Sequence, residues 1–221
     1  MQLFIDTADI EEVRRAVALG VISGCTTNPK LAAAAEPGSF RARIREILAC
    51  CPGPLSVEVL SETAAEMVAE AVQYAAWDPR IVVKIPMCLE GLGATHQLER
   101  ERDIRVNVTC MVSANQAAMA LMAGATYVSL FVGRINDLGY DADAVIRETA
   151  ELIERGGFDA RIIAGSMRQV ADIQRSFLAG AHIVTTPYRF LPQMVHHPRT
   201  VETIAEFKQA WEEARRRGGL S

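Results

Sequence analysis

A single lysine inside an apolar run is the most reactive group in this sequence. Lys84 lies between Val83 and Ile85, β-branched residues that are typical of a buried strand. A lysine shielded from water is more easily held as the neutral amine, which can attack a carbonyl and form a Schiff base that acts as an electron sink. Lys84 is therefore a candidate for covalent catalysis. The alternative is a lysine neutralised by Glu58 or Asp6 in an internal ion pair, because an unpaired buried charge is costly.

Polar side chains recur at the ends of the strand-like segments. A Schiff-base enzyme needs a carboxylate that moves protons during imine formation, a second group that accepts a hydroxyl proton when a carbon–carbon bond breaks, and donors that orient the substrate. Glu58, Asp6, Asn28 and Thr109 have suitable chemistry for these tasks. Parallel strands would bring such residues to one end of a barrel. The strand-end candidates are Asp6, Thr26, Asn28, Glu58, Lys84, Asn107, Thr109, Ser129, Arg134, Ser166 and Arg168.

Two arginines and a serine follow the sixth and seventh strand-like segments. Arg134, Ser166 and Arg168 together offer two cations and a hydroxyl, and Arg168 opens a helical segment whose N-terminal amides favour anions. This combination predicts a phosphate-binding site. The alternative is that both arginines are solvated surface charges.

Alternating strands and helices must position these residues. Lys84 shares one face of its strand with Val82, which predicts that its side chain points into a barrel. About eight strand–helix units predict an α/β fold, a single (β/α)8 TIM barrel over residues 1–221, with segment 200–221 as an extra C-terminal helix that packs on a neighbouring subunit. An open doubly wound sheet is the alternative. The β-branched runs lie at 3–6, 21–24, 55–59, 81–85, 104–108, 126–130, 161–164 and 182–185.

Composition and charge exclude several classes of partner. The formal net charge of −4, with acidic and basic residues mixed along the 221 residues, argues against a nucleic-acid partner. Neither a signal peptide nor an apolar run of membrane-spanning length is visible, so we expect a cytoplasmic protein with no membrane partner. The five cysteines lack paired C-x-x-C spacing, and the adjacent His196 and His197 point in different directions, so no metal site is expected.

Seven short segments, in this order, carry a specific family resemblance. Together they resemble the small-subunit transaldolases and the fructose-6-phosphate aldolases that share their fold, and the resemblance covers nearly the whole chain. The segments are FIDTA at 4–8, TTNP at 26–29, VEV at 57–59, VVKIP at 82–86, NVT at 107–109, AGATYVS at 123–129 and FVGR at 131–134.

This resemblance implies a role for each candidate residue. Lys84 would be the Schiff-base lysine, and Asp6 would accept the proton of the C4 hydroxyl. Glu58 and Thr109 would position a catalytic water, while Asn28 would hydrogen-bond substrate hydroxyls. The implied substrate-binding set is Thr26, Asn28, Asn107, Ser129, Phe131, Arg134, Ser166 and Arg168, of which Arg134, Ser166 and Arg168 would hold the phosphate.

Two positions distinguish transferases from aldolases in this family. The aldolases carry Gln at the position of Glu58 and Tyr at the position of Phe131, so both residues favour a transaldolase that moves a dihydroxyacetone unit from a ketose phosphate to an aldose phosphate. A fructose-6-phosphate-type aldolase is one alternative. A transaldolase for another anionic ketose, such as a sulfonated sugar, is a second, because Lys30 and Leu130 replace a usual small residue and a common proline. A non-catalytic sugar-phosphate-binding barrel, in which Lys84 pairs with Glu58, belongs to another class.

The resemblance also implies how the protein assembles. Subunits of these families form rings, so a homo-oligomer, either a pentamer or a decamer, is expected, with the C-terminal helix reaching a neighbour. The expected ligand is a sugar phosphate or another anionic ketose. The resemblance implies no metal and no organic cofactor.

Overall fold

The computed structural model of the chain describes residues 1–29 and 40–217, so Lys30 lies outside the described residues. The chain divides into two compact units, Met1–Tyr188 and a second unit that begins at Arg189. All the candidate site residues belong to the first unit.

Eight parallel strands form a closed barrel in the first unit, in the order of the sequence, with the last strand next to the first. The predicted (β/α)8 TIM-barrel fold with an extra C-terminal helix is therefore confirmed. The fifth strand begins later than predicted because the amide of Ile104 donates to the carbonyl of Leu98 in the preceding turn. The strands are β1 (Gln2–Asp6), β2 (Ile22–Thr26), β3 (Leu55–Glu58), β4 (Ile81–Pro86), β5 (Val106–Met111), β6 (Tyr127–Phe131), β7 (Arg161–Gly165) and β8 (Ile183–Thr186).

Helices connect the strands, and local capping defines several of their ends. Thr63 and Glu66 form a capping box at the start of the helix Ala64–Ala75, and Gly124 ends the helix Ala114–Ala123 with a left-handed φ of 100°. Position 91, inside the helix Leu89–His96, requires glycine because a Cβ there would lie 2.1 Å from the carbonyl oxygen of Pro86. The helices in the described part of the first unit are α1 (Ile10–Ala18), α2 (Phe40–Cys50), α3 (Ala64–Ala75), α4 (Leu89–His96), α5 (Ala114–Ala123), α6 (Val132–Asp137), α7 (Ala142–Gly156) and α8 (Val170–Ala179); a π-helical turn, Gln97–Glu101, follows α4.

An apolar layer fills the barrel interior below the candidate site. It consists of buried side chains from five strands: Phe4, Val82, Tyr127, Ile163 and Ile183. Side chains alternate between the two faces of a strand, so the residue two positions later faces the same interior nearer the carboxyl end. This rule takes Phe4 to Asp6, Val82 to Lys84, Tyr127 to Ser129, Ile163 to Gly165 and Ile183 to Thr185.

Two helices make up the described part of the second unit, α9 (Phe190–Val195) and α10 (Pro198–Arg216). The C-terminal helix begins slightly before the predicted segment 200–221, because Pro198 occupies its first turn behind the His197 N-cap. Residues 218–221 of that segment lie outside the described residues. No residue of α10 is buried, and four large apolar side chains spaced to share one face are exposed: Val201, Ile204, Phe207 and Trp211.

Candidate active site

A cavity of about 430 Å³ opens at the carboxyl ends of the barrel strands. It contains every candidate residue named from the sequence except Arg168. Four further described residues line it that were not among the candidate site residues: Pro29, Cys110, Gly165 and Thr185. The candidates that line it are Asp6, Thr26, Asn28, Glu58, Lys84, Asn107, Thr109, Ser129, Phe131, Arg134 and Ser166.

Lys84 is a buried cation inside this cavity. Lys84 is 6% exposed, and its Nζ lies 3.0 Å from Glu58 Oε2. The amine also donates to the backbone carbonyl of Thr27 at 3.0 Å. Strand register creates the pair, because Glu58 on β3 is directly opposite Lys84 on β4. Lys84 therefore forms the internal ion pair that the sequence left open, and both partners line the cavity.

Asp6 belongs to a short chain of hydroxyl groups. Thr26 donates to Asp6 Oδ1 at 2.8 Å, and the hydroxyl oxygens of Thr26 and Thr185 are 2.6 Å apart. Burial raises the pKa of the Asp6 carboxyl above its ordinary value, whereas the Lys84 cation and the Thr26 hydrogen bond lower it. The raised pKa makes Asp6 a better proton acceptor than an exposed aspartate.

A second polar group covers the opposite wall of the cavity. Ser129 donates to Asn107 Oδ1 at 2.7 Å, and Asn107 Nδ2 donates to the Ser56 hydroxyl at 3.2 Å. Thr109 is fully buried, and its Oγ1 has no hydrogen-bond partner among the described residues. A buried hydroxyl of this kind is costly to leave unpaired, so its position favours a bound water or ligand atom.

The predicted phosphate site is only partly brought together. Arg134 and Ser166 line the cavity. Arg168 is not among the described lining residues, and its half-exposed guanidinium donates to Asp137 at 3.0 Å. The backbone N–H groups of Arg168 and Gln169 both donate to Asp172 Oδ2, so these two amides at the start of the helical segment already have a carboxylate partner.

The backbone is irregular at two of the residues that line the cavity. Cys110 and Ser166 have left-handed φ values of 64° and 60°, which non-glycine residues adopt rarely. At Cys110 the pairing of β5 with β6 shifts register between Val108 and Met111. Strand alternation fails across such an irregularity, so Cys110 joins Thr109 in lining the cavity and no sequence pattern signals it.

Thr185, by contrast, had a readable signal. It follows Ile183 and Val184 at the end of β8 and shares the interior face with Ile183. The rule that selected Lys84 from Val82 applies equally to this strand. Applied to β8, it would have added Thr185 to the candidate set.

Two features are absent from residues 1–29 and 40–217. No group of three or more His, Cys, Asp and Glu side chains there could hold a metal ion. No helix in the same part of the chain is long and apolar enough to cross a membrane.

Fold and site together define a class. The chain is a (β/α)8-barrel protein with a polar, lysine-containing cavity at the carboxyl ends of its strands, where barrel enzymes carry their active sites. The family described as Transaldolase/Fructose-6-phosphate aldolase matches residues 3–219. The chain belongs to this family, and it is an enzyme, either a transferase or an aldolase.

Curated relatives support the same assignment. A probable transaldolase of Desulforudis audaxviator is 46% identical, over 98% of this chain and 100% of the relative. A probable transaldolase of Pelotomaculum thermopropionicum is 48% identical, over 97% of this chain and 99% of the relative. A third, from Heliobacterium modesticaldum, is 48% identical over 96% and 98% of the two chains. The similarity therefore extends across both units.

The raised pKa of Asp6 predicts that its charge destabilises the fold at neutral pH. A carboxyl whose folded pKa is raised stabilises the protein at low pH, and this stabilisation is lost as the pH rises through the folded pKa. Asn remains neutral at every pH. We expect Asp6→Asn to have a higher free energy of unfolding than the parent at pH 7, with a smaller difference near pH 4, in urea titrations. The exposed Asp159→Asn is the control; an Asp6→Asn protein less stable than the parent at pH 7 would contradict this account.

Proposed function

We propose that the protein is a transaldolase that transfers a dihydroxyacetone unit from a ketose phosphate to an aldose phosphate through a Schiff base on Lys84. The observation that carries the proposal is the position of Lys84, a buried residue that lines the cavity and whose Nζ lies 3.0 Å from a carboxylate oxygen of Glu58. A nucleophile within hydrogen-bond reach of a base is the arrangement that covalent catalysis requires. Family membership supports the same chemistry.

Imine formation uses the ion pair itself. Glu58 takes a proton from the Lys84 ammonium, and the neutral amine attacks the C2 carbonyl of the ketose. Glu58 then returns the proton to the hydroxyl of the carbinolamine, which leaves as water, and the nitrogen becomes an iminium. The unpaired Thr109 hydroxyl would hold this water beside Glu58.

Carbon–carbon cleavage then uses Asp6. Its carboxylate accepts the proton of the C4 hydroxyl, the C3–C4 bond breaks, and the electron pair moves to the iminium nitrogen to give an enamine. An aldose phosphate leaves, and an acceptor aldose phosphate adds to the enamine by the reverse steps. Thr26, Asn28, Asn107 and Ser129 orient the sugar hydroxyl groups.

The identity of two lining residues favours transfer over release. Glu58 moves protons through water at the imine, and Phe131 offers no hydroxyl to perform that task in its place. An enamine that is not protonated quickly persists until an acceptor binds. A fructose-6-phosphate-type aldolase or a transaldolase for a sulfonated ketose would keep Lys84, Asp6 and Glu58, so substrate panels must include those sugars.

The apolar face of α10 supports a proposal about assembly. Val201, Ile204, Phe207 and Trp211 form an exposed stripe on one helix, and such a stripe is normally covered by another surface. We propose that it packs on a neighbouring subunit in a pentamer or decamer. We also propose that the enzyme works in the cytoplasm.

Lys84 is tested directly by borohydride reduction. We expect a C6 ketose phosphate with borohydride to increase the mass of the peptide that contains Lys84, because reduction fixes the imine. Lys84→Met should remain folded and lose at least about a thousandfold in kcat. Arg80→Met, which changes a partly exposed cation bound to Asp78 outside the cavity, is the control for cation loss. Absence of the adduct and of any turnover in the parent would favour the non-catalytic sugar-phosphate-binding barrel, whereas Lys84→Met activity within about tenfold of the parent would contradict the Schiff-base assignment.

Transfer and aldol cleavage differ in what happens without an acceptor. We expect a ketose phosphate alone to release little free dihydroxyacetone, and addition of an aldose phosphate to start rapid product formation. The measurement is enzymatic detection of free dihydroxyacetone against time. Rapid stoichiometric release without acceptor would instead identify an aldolase.

We expect Arg134 and Arg168 to contribute differently to binding of the substrate phosphate. We expect Arg134→Gln to raise KM for a ketose phosphate about tenfold or more with a smaller change in kcat, because it removes a cation that lines the cavity. Arg168→Gln should have a smaller effect, since Arg168 is already paired with Asp137 outside the described lining. Steady-state kinetics with phosphorylated, sulfonated and unsubstituted ketoses provide the measurement. Equal KM values for phosphorylated and unsubstituted sugars in the parent would rule out an anion site.

A further inference from the structure

Thr185 adjoins the proposed proton acceptor without any assigned role. Its hydroxyl oxygen is 2.6 Å from that of Thr26, which in turn donates to Asp6 Oδ1 at 2.8 Å. We propose that Thr185 orients Asp6 through Thr26 and is therefore a positioning residue for carbon–carbon cleavage. This inference rests on the proposed Schiff-base function.

The number of hydroxyl hydrogens determines which group donates in each of these two hydrogen bonds. Each threonine hydroxyl carries one hydrogen, and an ionised carboxylate only accepts. Thr26 therefore uses its hydrogen on Asp6, and Thr185 must be the donor in the bond between the two threonines. Because hydrogen bonds in a chain polarise one another, this donation makes Thr26 a stronger donor to Asp6.

Packing holds Thr185 in the orientation that this bond needs. Thr185 is 6% exposed, and a Cβ at Gly165 would lie only 3.2 Å from its Cγ2 methyl. The glycine on β7 thus leaves the space that this methyl occupies. With the methyl held against β7, the hydroxyl faces Thr26 on β2.

The chain of hydrogen bonds from Thr185 through Thr26 ends on one of the two carboxylate oxygens of Asp6. Thr26 already donates to Oδ1, so Oδ2 is the less engaged oxygen, and it accepts the C4 hydroxyl proton while the C3–C4 electron pair moves to the iminium nitrogen. Without the Thr185 hydroxyl, Thr26 and the carboxylate can rotate away from this arrangement. Imine formation is affected less than cleavage, because the hydrogen bonds of Lys84 are to Glu58 and Thr27 and its interaction with Asp6 is through charge alone.

Replacement by an isosteric residue tests the proposal. We expect Thr185→Val to lower kcat for transfer from a C6 ketose phosphate to a four-carbon aldose phosphate by about three- to tenfold, the effect of one hydrogen bond. The rate at which borohydride traps the Lys84 imine, and KM, should change less than kcat does. Thr186→Val is the matched control, since Thr186 is the next residue of β8, lies outside the described lining and has a buried hydroxyl without a hydrogen-bond partner among the described residues.

A second pair of variants covers the case in which valine disturbs folding. Thr185→Ser and Thr185→Ala both lose the methyl group, and only the serine keeps the hydroxyl. We expect the serine variant to cleave about three to ten times faster than the alanine variant. Equal rates for this pair, Thr185→Val activity within about twofold of the parent, or equal losses in Thr185→Val and Thr186→Val would each overturn the proposal. Failure to trap Lys84 in the parent would overturn the Schiff-base function instead, so the two failures are distinguishable.

Discussion

The buried pair of Lys84 and Glu58 is the interaction on which the rest of the site depends. A lysine at this depth without a partner would destabilise the fold by several kcal/mol, and the Glu58 carboxylate and the Thr27 carbonyl both offset that cost. The pair exists only because β3 and β4 align Glu58 with Lys84. A register slip of one residue would turn one of these side chains towards the surrounding helices and separate the two charges.

A closed parallel barrel is well suited to hold such a pair. The apolar layer of Phe4, Val82, Tyr127, Ile163 and Ile183 excludes water below the cavity and supports the polar residues two positions further along. Above this layer, two polar groups lower the stability of the fold. Burial raises the pKa of Asp6, and Thr109 has no hydrogen-bond partner among the described residues. Groups that are poorly satisfied in the unbound protein are the ones a substrate can satisfy, which is why active sites commonly lower stability.

The sequence predicted the parts of the site that follow strand alternation, and the failures have physical causes. Lys84 and Asp6 lie where period-two alternation from Val82 and Phe4 puts them. Arg168 follows a strand end as well, yet its long side chain reaches Asp137 instead of the cavity. Cys110 lines the cavity only because the β5–β6 register shifts beside it, and that shift depends on a neighbouring strand distant in sequence.

Local sequence by itself determined the alternation of strands and helices, the capping residues and the interior-facing polar positions, because each depends on residues a few positions apart. Closure of the barrel, the Lys84–Glu58 distance and the Asp6–Thr26–Thr185 chain were decided only by the tertiary structure. Thr26 and Thr185 are 159 residues apart in sequence, and β8 approaches β2 only because the sheet closes on itself through β1. Periodicity along one strand states which way a side chain faces, whereas the identity of its partner depends on which strands become neighbours.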